Sequence, residues 1–132
     1  MSRAKGTRRE KECRELYELA GYATYSPMNV QYGDNDLFNL FDVVAIRPDR
    51  RITFIQVKSN GTQGELNSFF EASQSLLPGT HAVAHFATCY DREGWKLYES
   101  EGAKFLIAVD ERDKSCDMGA RVVEYLQWGL ED

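Results

Sequence analysis

The most informative stretch of this chain is Asp42-Val-Val-Ala-Ile-Arg-Pro-Asp-Arg-Arg-Ile-Thr-Phe-Ile-Gln56-Val-Lys58. Short apolar runs at 41–46 and 52–58 flank a polar turn that contains a proline, and this pattern predicts two strands joined as a hairpin. An acid, Asp42, stands at the start of the first strand. An amide and a lysine, Gln56 and Lys58, stand at the end of the second.

Gln56 and Lys58 are unusual on their strand because their neighbours on the same face are apolar. Side chains alternate across a strand, so both share a face with Ile52 and Phe54, for which we predict core positions. Taken singly, such an amide and lysine are more often solvated edge residues. As the continuation of an apolar face, they raise the hypothesis of a functional site at this end of the hairpin.

The length and composition of the chain predict one soluble globular domain. Its 132 residues suffice for a single core, and 42% hydrophobic and 28% charged residues are ordinary fractions. No apolar run is long enough to span a membrane, and the basic N-terminus lacks the apolar stretch of a secretory signal. Cys13, Cys89 and Cys116 lie far apart, which disfavours a disulfide framework or a structural zinc site. We therefore expect a cytoplasmic protein.

The charge of the chain is divided between its two ends. The net charge is -5, yet residues 1–14 hold six basic groups against two acids, and residues 100–132 hold four basic groups against eight acids. A basic N-terminal arm can contact phosphates while the far end stays acidic. The same arm could equally be a solvated, frayed terminus.

Helices and strands follow one another along the chain, which predicts an α/β layer arrangement. The first helix, over 7–20, would begin at Thr7, with Glu10 completing a capping box, and would end before Gly21. Residues 26–37 are rich in turn formers and predict an irregular loop. The other predicted elements are strands at 22–25, 81–90, 95–98 and 105–109 and helices at 65–77 and 121–128.

Oxygen-bearing groups of the hairpin fit the chemistry of phosphodiester hydrolysis. That reaction needs a divalent cation to neutralise charge developing on the phosphate, and a water made nucleophilic. Magnesium prefers hard oxygen ligands and keeps several waters, so a few protein oxygens are sufficient. Asp42 offers a carboxylate, Gln56 an amide oxygen and Val57 a backbone carbonyl. Lys58 can orient the attacking water or the phosphate, while a second acid must come from elsewhere.

The hairpin carries an acid, then a variable gap, then a Glu/Gln-x-Lys pattern. This order resembles the motif of the PD-(D/E)XK nuclease superfamily. Within it, the chain is most similar to archaeal-type Holliday junction resolvases. That family places a glycine four residues before a glutamate in the first helix and a Gly-aromatic pair at its end, as Gly6, Glu10 and Gly21 stand here. The Gly-Trp-Lys segment at 94–96, entering a strand, also resembles the family. The resemblance covers roughly residues 5–100.

The resemblance implies a restriction-endonuclease-like α/β fold, with a central mixed β-sheet flanked by helices. The implied metal and catalytic residues are Glu10, Asp42 and Gln56, joined at the metal by the Val57 carbonyl, with Lys58 as the catalytic lysine. The family has a serine in the loop before the metal-binding aspartate, and Ser26 is its counterpart. The expected substrate-binding residues are Arg3, Lys5, Arg8, Arg9 and Ser26.

Three departures from the family pattern bear on the site. Phe41 stands where a proline usually precedes the first acid. Gln56 replaces the usual glutamate, which keeps an oxygen ligand but removes a charge, so metal affinity should be lower. The loop before Asp42 is long for such a resolvase, and its Asp34 and Asp36 could add a metal-site or substrate-selecting group.

The implied function is a magnesium-dependent endodeoxyribonuclease that resolves four-way DNA junctions in recombination and repair, with manganese as a substitute metal. Resolution requires two symmetric cuts, so the resemblance also implies a homodimer. One alternative is a restriction-like or repair endonuclease of the same superfamily. Another is an inert nuclease-fold module that binds DNA or a protein, which Gln56 and the acidic C-terminal third favour. We assign the nuclease domain with its basic arm to residues 1–100. Residues 101–132 would be a C-terminal extension packed on that domain or on the dimer partner.

Plainer readings exist for several of these residues. Glu10 could serve only in the capping box, and helical periodicity does not exclude Glu12 as the acid of the site. His81 and His85 share a strand face, but four residues along a strand separate them too far to chelate one metal readily. We expect both histidines to be structural.

Overall fold

The computed structural model describes residues 3–26, 40–76, 82–101, 104–109 and 120–128, with side chains described for 8–26, 40–76, 82–99 and 122–127. These residues form one six-stranded sheet with helices on both faces. In chain order the elements are α1 Arg3–Leu19, β1 Ala23–Tyr25, β2 Val43–Ile46, β3 Ile52–Ser59, α2 Gln63–Leu76, β4 Ala82–Tyr90, β5 Gly94–Glu101, β6 Lys104–Val109 and α3 Ala120–Trp128.

The sheet is mixed, and its strands lie in the order in which they occur in the sequence. β3 and β4 are parallel, whereas the other four neighbouring pairs are antiparallel. A parallel pair needs a crossover connection, and α2 lies in the segment that joins β3 to β4. The predicted α/β fold, a central mixed sheet flanked by helices, is therefore confirmed.

Two apolar clusters, one on each face of the sheet, hold the helices in place. On one face, α1 and α3 pack against the strands through residues that include Leu16, Tyr17, Val122 and Leu126. On the other face, α2 packs an aromatic cluster against the sheet. That cluster comprises Phe41, Leu66, Phe69, Phe70, Ala84 and Phe86, with Leu40, Phe54 and Tyr98 at its edge.

Helix α1 ends as predicted but begins earlier than predicted. Gly21 has a φ of 99°, and the N–H groups of Gly21 and Tyr22 donate to the carbonyls of Glu18 and Tyr17 at 3.0 Å each. This is the Schellman arrangement that favours glycine after a helix. The helix begins at Arg3, so Thr7 lies inside it and the predicted capping box at Thr7 and Glu10 is wrong. The N-terminal arm is also part of the helix from Arg3 onward.

The hairpin forms as predicted. Side chains of its second strand, β3, point alternately toward the two apolar clusters. Ile55 and Val57 point toward α1, whereas Phe54 belongs to the aromatic cluster under α2. Because side chains alternate along a strand, Gln56 and Lys58 lie on the α2 face with Phe54. The core position predicted for Ile52 is wrong, because this first residue of β3 is 40% exposed at the end of the sheet.

The described part of residues 101–132 packs on the same sheet as the residues before it. β6 pairs with β5, and Val122 and Leu126 of α3 join the cluster that contains Leu16 of α1. A contact of this segment with a second copy of the chain stays a prediction. Within the residues that the structure describes, no helix combines the length and apolar character needed to cross a membrane.

Candidate active site

Asp42 connects the two strands of the hairpin at the end where the candidate residues lie. Its backbone N–H donates to the Ile55 carbonyl at 2.8 Å, and its carboxylate Oδ2 accepts a hydrogen bond from the Val57 N–H at 2.8 Å. This bond brings the carboxylate to the backbone between Gln56 and Lys58. Asp42 therefore lies within one residue of both members of the Gln-x-Lys pair.

Ser26 joins Asp42 to Glu10 of α1. Its hydroxyl lies 3.0 Å from the Asp42 carbonyl and 3.4 Å from Glu10 Oε1, both within reach of this donor. Tyr25 of β1 pairs with Val44 of β2. The next residue along the chain, Ser26, therefore lies close to Asp42, which precedes β2. The structure thus brings Glu10, Ser26 and Asp42 together, although they lie far apart in the sequence.

Cys13 gives a second indication that the two acids lie near each other. Burial raises the pKa of the Cys13 thiol well above its ordinary value, and the negative charges of Asp42 and Glu10 raise it further. Cys13 is fully buried one helical turn from Glu10. Both carboxylates therefore lie close enough to Cys13 to affect its pKa, where α1 packs against the hairpin.

Gln56 is oriented by a backbone carbonyl. Its side-chain Nε2 donates to the Leu40 carbonyl at 3.0 Å. Because a carbonyl can only accept, it is the amide nitrogen of Gln56, and not the amide oxygen, that faces Leu40. An oriented amide oxygen of this kind is suited to contact a cation.

Lys58 lies on the α2 face beside the first turn of that helix. Its Nζ is 3.6 Å from Glu65 Oε2, and the two side chains are 39% and 43% exposed. Lys58, Glu65 and Gln56 line the same open groove of about 660 Å³, with Leu40 and Thr62. The catalytic lysine implied by the resemblance therefore faces an open groove.

The basic residues of α1 have different surroundings. Arg8 is exposed and can reach a phosphate. Arg9 is buried at 7% exposure, and its guanidinium pairs with Glu12 at 2.7 Å and with Asp91 at 3.5 Å. Because its guanidinium already pairs with two acids, Arg9 is less accessible than Arg8, and its contact with phosphate stays a prediction.

Several predicted residues lie outside what the structure describes. The backbone of Arg3 and Lys5 is helical, but their side chains are not described. Asp34 and Asp36, the loop acids, and His81 are also outside the described residues. His85 is described, and it supports the structural assignment: it is buried, with ring nitrogens 2.7 Å from the Tyr17 hydroxyl and 2.9 Å from Glu99.

The donors that the site offers are hard oxygens. Over the described residues, no group of three or more His, Cys, Asp and Glu side chains is placed to hold a metal ion. The candidate set instead contains two carboxylates, from Glu10 and Asp42, with the Gln56 amide oxygen. The N–H and C=O of one strand residue point to the same side, so we expect the Val57 carbonyl to face Asp42 as its N–H does. Carboxylate, amide and carbonyl oxygens fit a magnesium or manganese ion that keeps several waters.

Sequence reasoning missed one charged residue at this site, Glu65. Thr62 and Glu65 form a reciprocal capping box at the start of α2: Thr62 N–H donates to Glu65 Oε1 at 2.9 Å, and Glu65 N–H donates to Thr62 Oγ1 at 3.1 Å. The Thr-x-x-Glu spacing was visible in the sequence as a helix-start signal. Its contact with Lys58 depends on how α2 packs, which no local signal shows.

The six-stranded sheet, the hairpin and the flanking helices define a nuclease-like fold. The structure is similar to that of Hjc, a Holliday junction resolvase from the archaeal hyperthermophile Archaeoglobus fulgidus, with a TM-score of 0.51 and 22% sequence identity. The similarity covers 83% of this chain and 89% of that chain. No protein-family model and no curated protein sequence matches the chain. At this identity, the similarity establishes the fold that the two proteins share.

Proposed function

We propose that this protein is a structure-selective endonuclease that resolves four-way DNA junctions by paired, metal-dependent phosphodiester hydrolysis. The observation that carries the proposal is the hydrogen bond from Val57 N–H to the Asp42 carboxylate. It brings an acid to the backbone of the residue between Gln56 and Lys58, in a fold similar to that of a Holliday junction resolvase. Ser26 adds Glu10 to this group from α1.

The candidate residues would have separate roles in hydrolysis. A bound magnesium ion would neutralise charge on the phosphate and acidify a water. Glu10, Asp42, the Gln56 amide oxygen and the Val57 carbonyl would hold that ion. Lys58 would orient the attacking water or the scissile phosphate from the groove.

DNA would be held through its backbone. Arg8 is exposed on α1, and Arg3 and Lys5 precede it on the same helix. Contacts of this type recognise the shape of the branched DNA with little reading of bases, and the affinity should fall steeply with salt. Ser26 would act by fixing Asp42 and Glu10 near the phosphate.

Two cuts in opposed strands call for two sites, so we propose a homodimer. In solution, the dimer should have a mass near twice the 15.1 kDa of one chain. A monomeric mass at micromolar protein would contradict the dimer without affecting the proposal that each chain cuts DNA.

The test of the proposal compares three labelled DNA substrates, a four-way junction, a flap and a linear duplex, each incubated with magnesium. We expect paired nicks in the junction and little cutting of the other two. Equal cutting of linear duplex would instead favour a restriction-like or repair endonuclease.

A second candidate function is a nuclease-fold module that binds DNA or protein without cutting. The observation that favours it is Gln56, whose amide carries no charge and already donates to Leu40. Calorimetry with magnesium or manganese separates the two candidates. No metal binding at millimolar concentration would favour the inert module.

A further inference from the structure

Glu65 places a negative charge in the groove, beside Gln56 and Lys58 of β3, neither of which is acidic. In the Gln-x-Lys pair, the residue two positions before Lys58 is an uncharged amide, so it cannot form an ion pair with the lysine. The carboxylate of Glu65 lies 3.6 Å from Lys58 Nζ instead, and both residues line the groove that Gln56 shares.

The position of Glu65 is fixed by the turn that precedes α2. Asn60 has a φ of 52°, and its side chain both donates to Asp91 at 3.2 Å and accepts from the Asp91 N–H at 3.0 Å. Gly61 N–H donates to Thr88 Oγ1 at 2.9 Å, and the Tyr90 hydroxyl donates to the Gly61 carbonyl at 2.6 Å. These bonds tie the start of the helix to the end of β4, which places the first turn of α2, and with it Glu65, beside Lys58.

The capping box engages one oxygen of the Glu65 carboxylate and leaves the other for Lys58. The Thr62 backbone N–H, with the Lys58 charge adding to it, lowers the pKa of Glu65 below its usual value. Oε1 accepts from Thr62, while Oε2 is the oxygen nearest Lys58.

We infer that Glu65 is a positioning residue of the nuclease site, which fixes Lys58 and supplies the negative charge that Gln56 does not. This inference rests on the proposed function. The carboxylate balances the lysine charge, so the ammonium repels a cation held by Glu10 and Asp42 less strongly. It also holds Nζ in the groove that Gln56 lines. A divalent metal ion is the ligand whose binding this charge would strengthen.

The variant Glu65→Gln separates charge from helix capping, because glutamine also serves in a capping box. Glu71→Gln is the matched control, since Glu71 is an exposed residue of the same helix and loses the same charge. We expect Glu65→Gln to lower kcat on junction DNA by about fivefold, the upper end for an exposed ion pair, without raising KM. Glu71→Gln should match the wild type. The unfolding midpoints of both variants should stay close to that of the wild type, which checks that the cap is intact.

Metal binding and rescue provide readouts that a purely structural role would not change. Calorimetric titration of the DNA-free protein with manganese should show weaker binding for Glu65→Gln than for Glu71→Gln. Adding Gln56→Glu to Glu65→Gln should restore both metal binding and kcat, because it returns the charge to the strand. Equal rates and affinities for the two single variants, beside an active wild type, would overturn the role of Glu65 alone. Failure of the wild type to cut junctions would overturn the proposed function, and this role with it.

Discussion

The carboxylate of Asp42 accepts a hydrogen bond from the Val57 N–H at 2.8 Å, across the open end of the hairpin. This one contact brings the acid of the first strand to the backbone of the residue between Gln56 and Lys58 in the second. Through Ser26, the same residue is joined to Glu10 of α1. Asp42 therefore connects the parts of the candidate site, and the first mutational test replaces this residue.

Replacing Asp42 with asparagine should remove cleavage and leave binding. Asparagine keeps an oxygen that can accept from Val57 N–H, so the hairpin should hold its geometry while the metal loses a charged ligand. We expect the cleavage rate to fall by on the order of a hundredfold or more, with junction affinity unchanged in a gel-shift assay. Asp49→Asn, in the turn of the same hairpin, is the control and should cut normally. Unchanged cleavage by Asp42→Asn would remove Asp42 from the site.

Arg8 and Arg9 are adjacent in the sequence and should behave in opposite ways. Arg8→Ala should weaken DNA binding and reduce the slope of log affinity against log salt by about one. Arg9→Ala leaves the part-buried Glu12 without its ion-pair partner, so it should lower the free energy of unfolding by about 1–3 kcal/mol. Urea denaturation and salt-dependent binding measure the two effects. A stable Arg9→Ala protein with weakened DNA binding would contradict the structural role of Arg9.

Gly61 should tolerate no side chain, because it packs closely on β4. A Cβ at Gly61 would lie 3.0 Å from two ring carbons of Phe86 and 3.1 Å from Thr88 Oγ1. Phe86 is 1% exposed and cannot easily move, so Gly61→Ala should destabilise the fold by about 1–3 kcal/mol in chemical denaturation.

Gly64→Ala is the matched control for this prediction. A Cβ at Gly64 has its nearest neighbour, Thr62 Oγ1, at 3.9 Å, and the residue lies in α2. Alanine is the better helix former, so this change should be neutral or stabilising by up to about 1 kcal/mol. Equal stabilities of the two variants would show that Gly61 is not tightly packed.

The free energy of unfolding should fall at alkaline pH, partly because the buried thiol of Cys13 keeps its proton in the folded state. Burial, with the Asp42 and Glu10 charges, raises the pKa of this thiol well above its ordinary value of 9.0. The unfolded chain therefore releases the proton above pH 9 while the folded protein keeps it, which favours unfolding by on the order of 1 kcal/mol per pH unit. Below pH 9 both states keep the proton and the effect vanishes.

The variant Cys13→Ala isolates this contribution. Urea denaturation at neutral pH and between pH 9 and pH 10 should show a shallower alkaline loss for the variant than for the wild type. Tyr17, whose pKa burial raises well above its ordinary 10.0, adds its own loss at higher pH in both proteins. Identical slopes for the two proteins between pH 9 and pH 10 would contradict the burial of an ionisable Cys13.

Local patterns predicted the elements of this fold well. The alternation in the hairpin and the glycine after α1 depend on neighbours in the sequence, and both predictions are confirmed. The start of α1 was wrong because the capping signal at Thr7 competes with Ala4 and Lys5, which also favour a helix. Capping signals alone do not decide where a helix begins when helix formers precede them.

The contacts between elements were harder to predict. Arg9 lies four residues before Cys13 on the buried stripe of α1, so periodicity could have indicated its burial, although its partner Asp91 could not be foreseen. The ion pair of Lys58 with Glu65 depends on the packing of α2 against β3. Such contacts are set by tertiary structure, which a single sequence does not show.

The proposed function requires that this chain make two symmetric cuts in a four-way DNA junction. The most direct measurement incubates the protein and magnesium with a synthetic junction in which each strand is end-labelled in turn, and maps every nick. We predict nicks in two opposed strands, at the same distance from the branch point, and none with Asp42→Asn. Absence of nicks, or nicks scattered equally over all strands and over linear duplex, would contradict the claim.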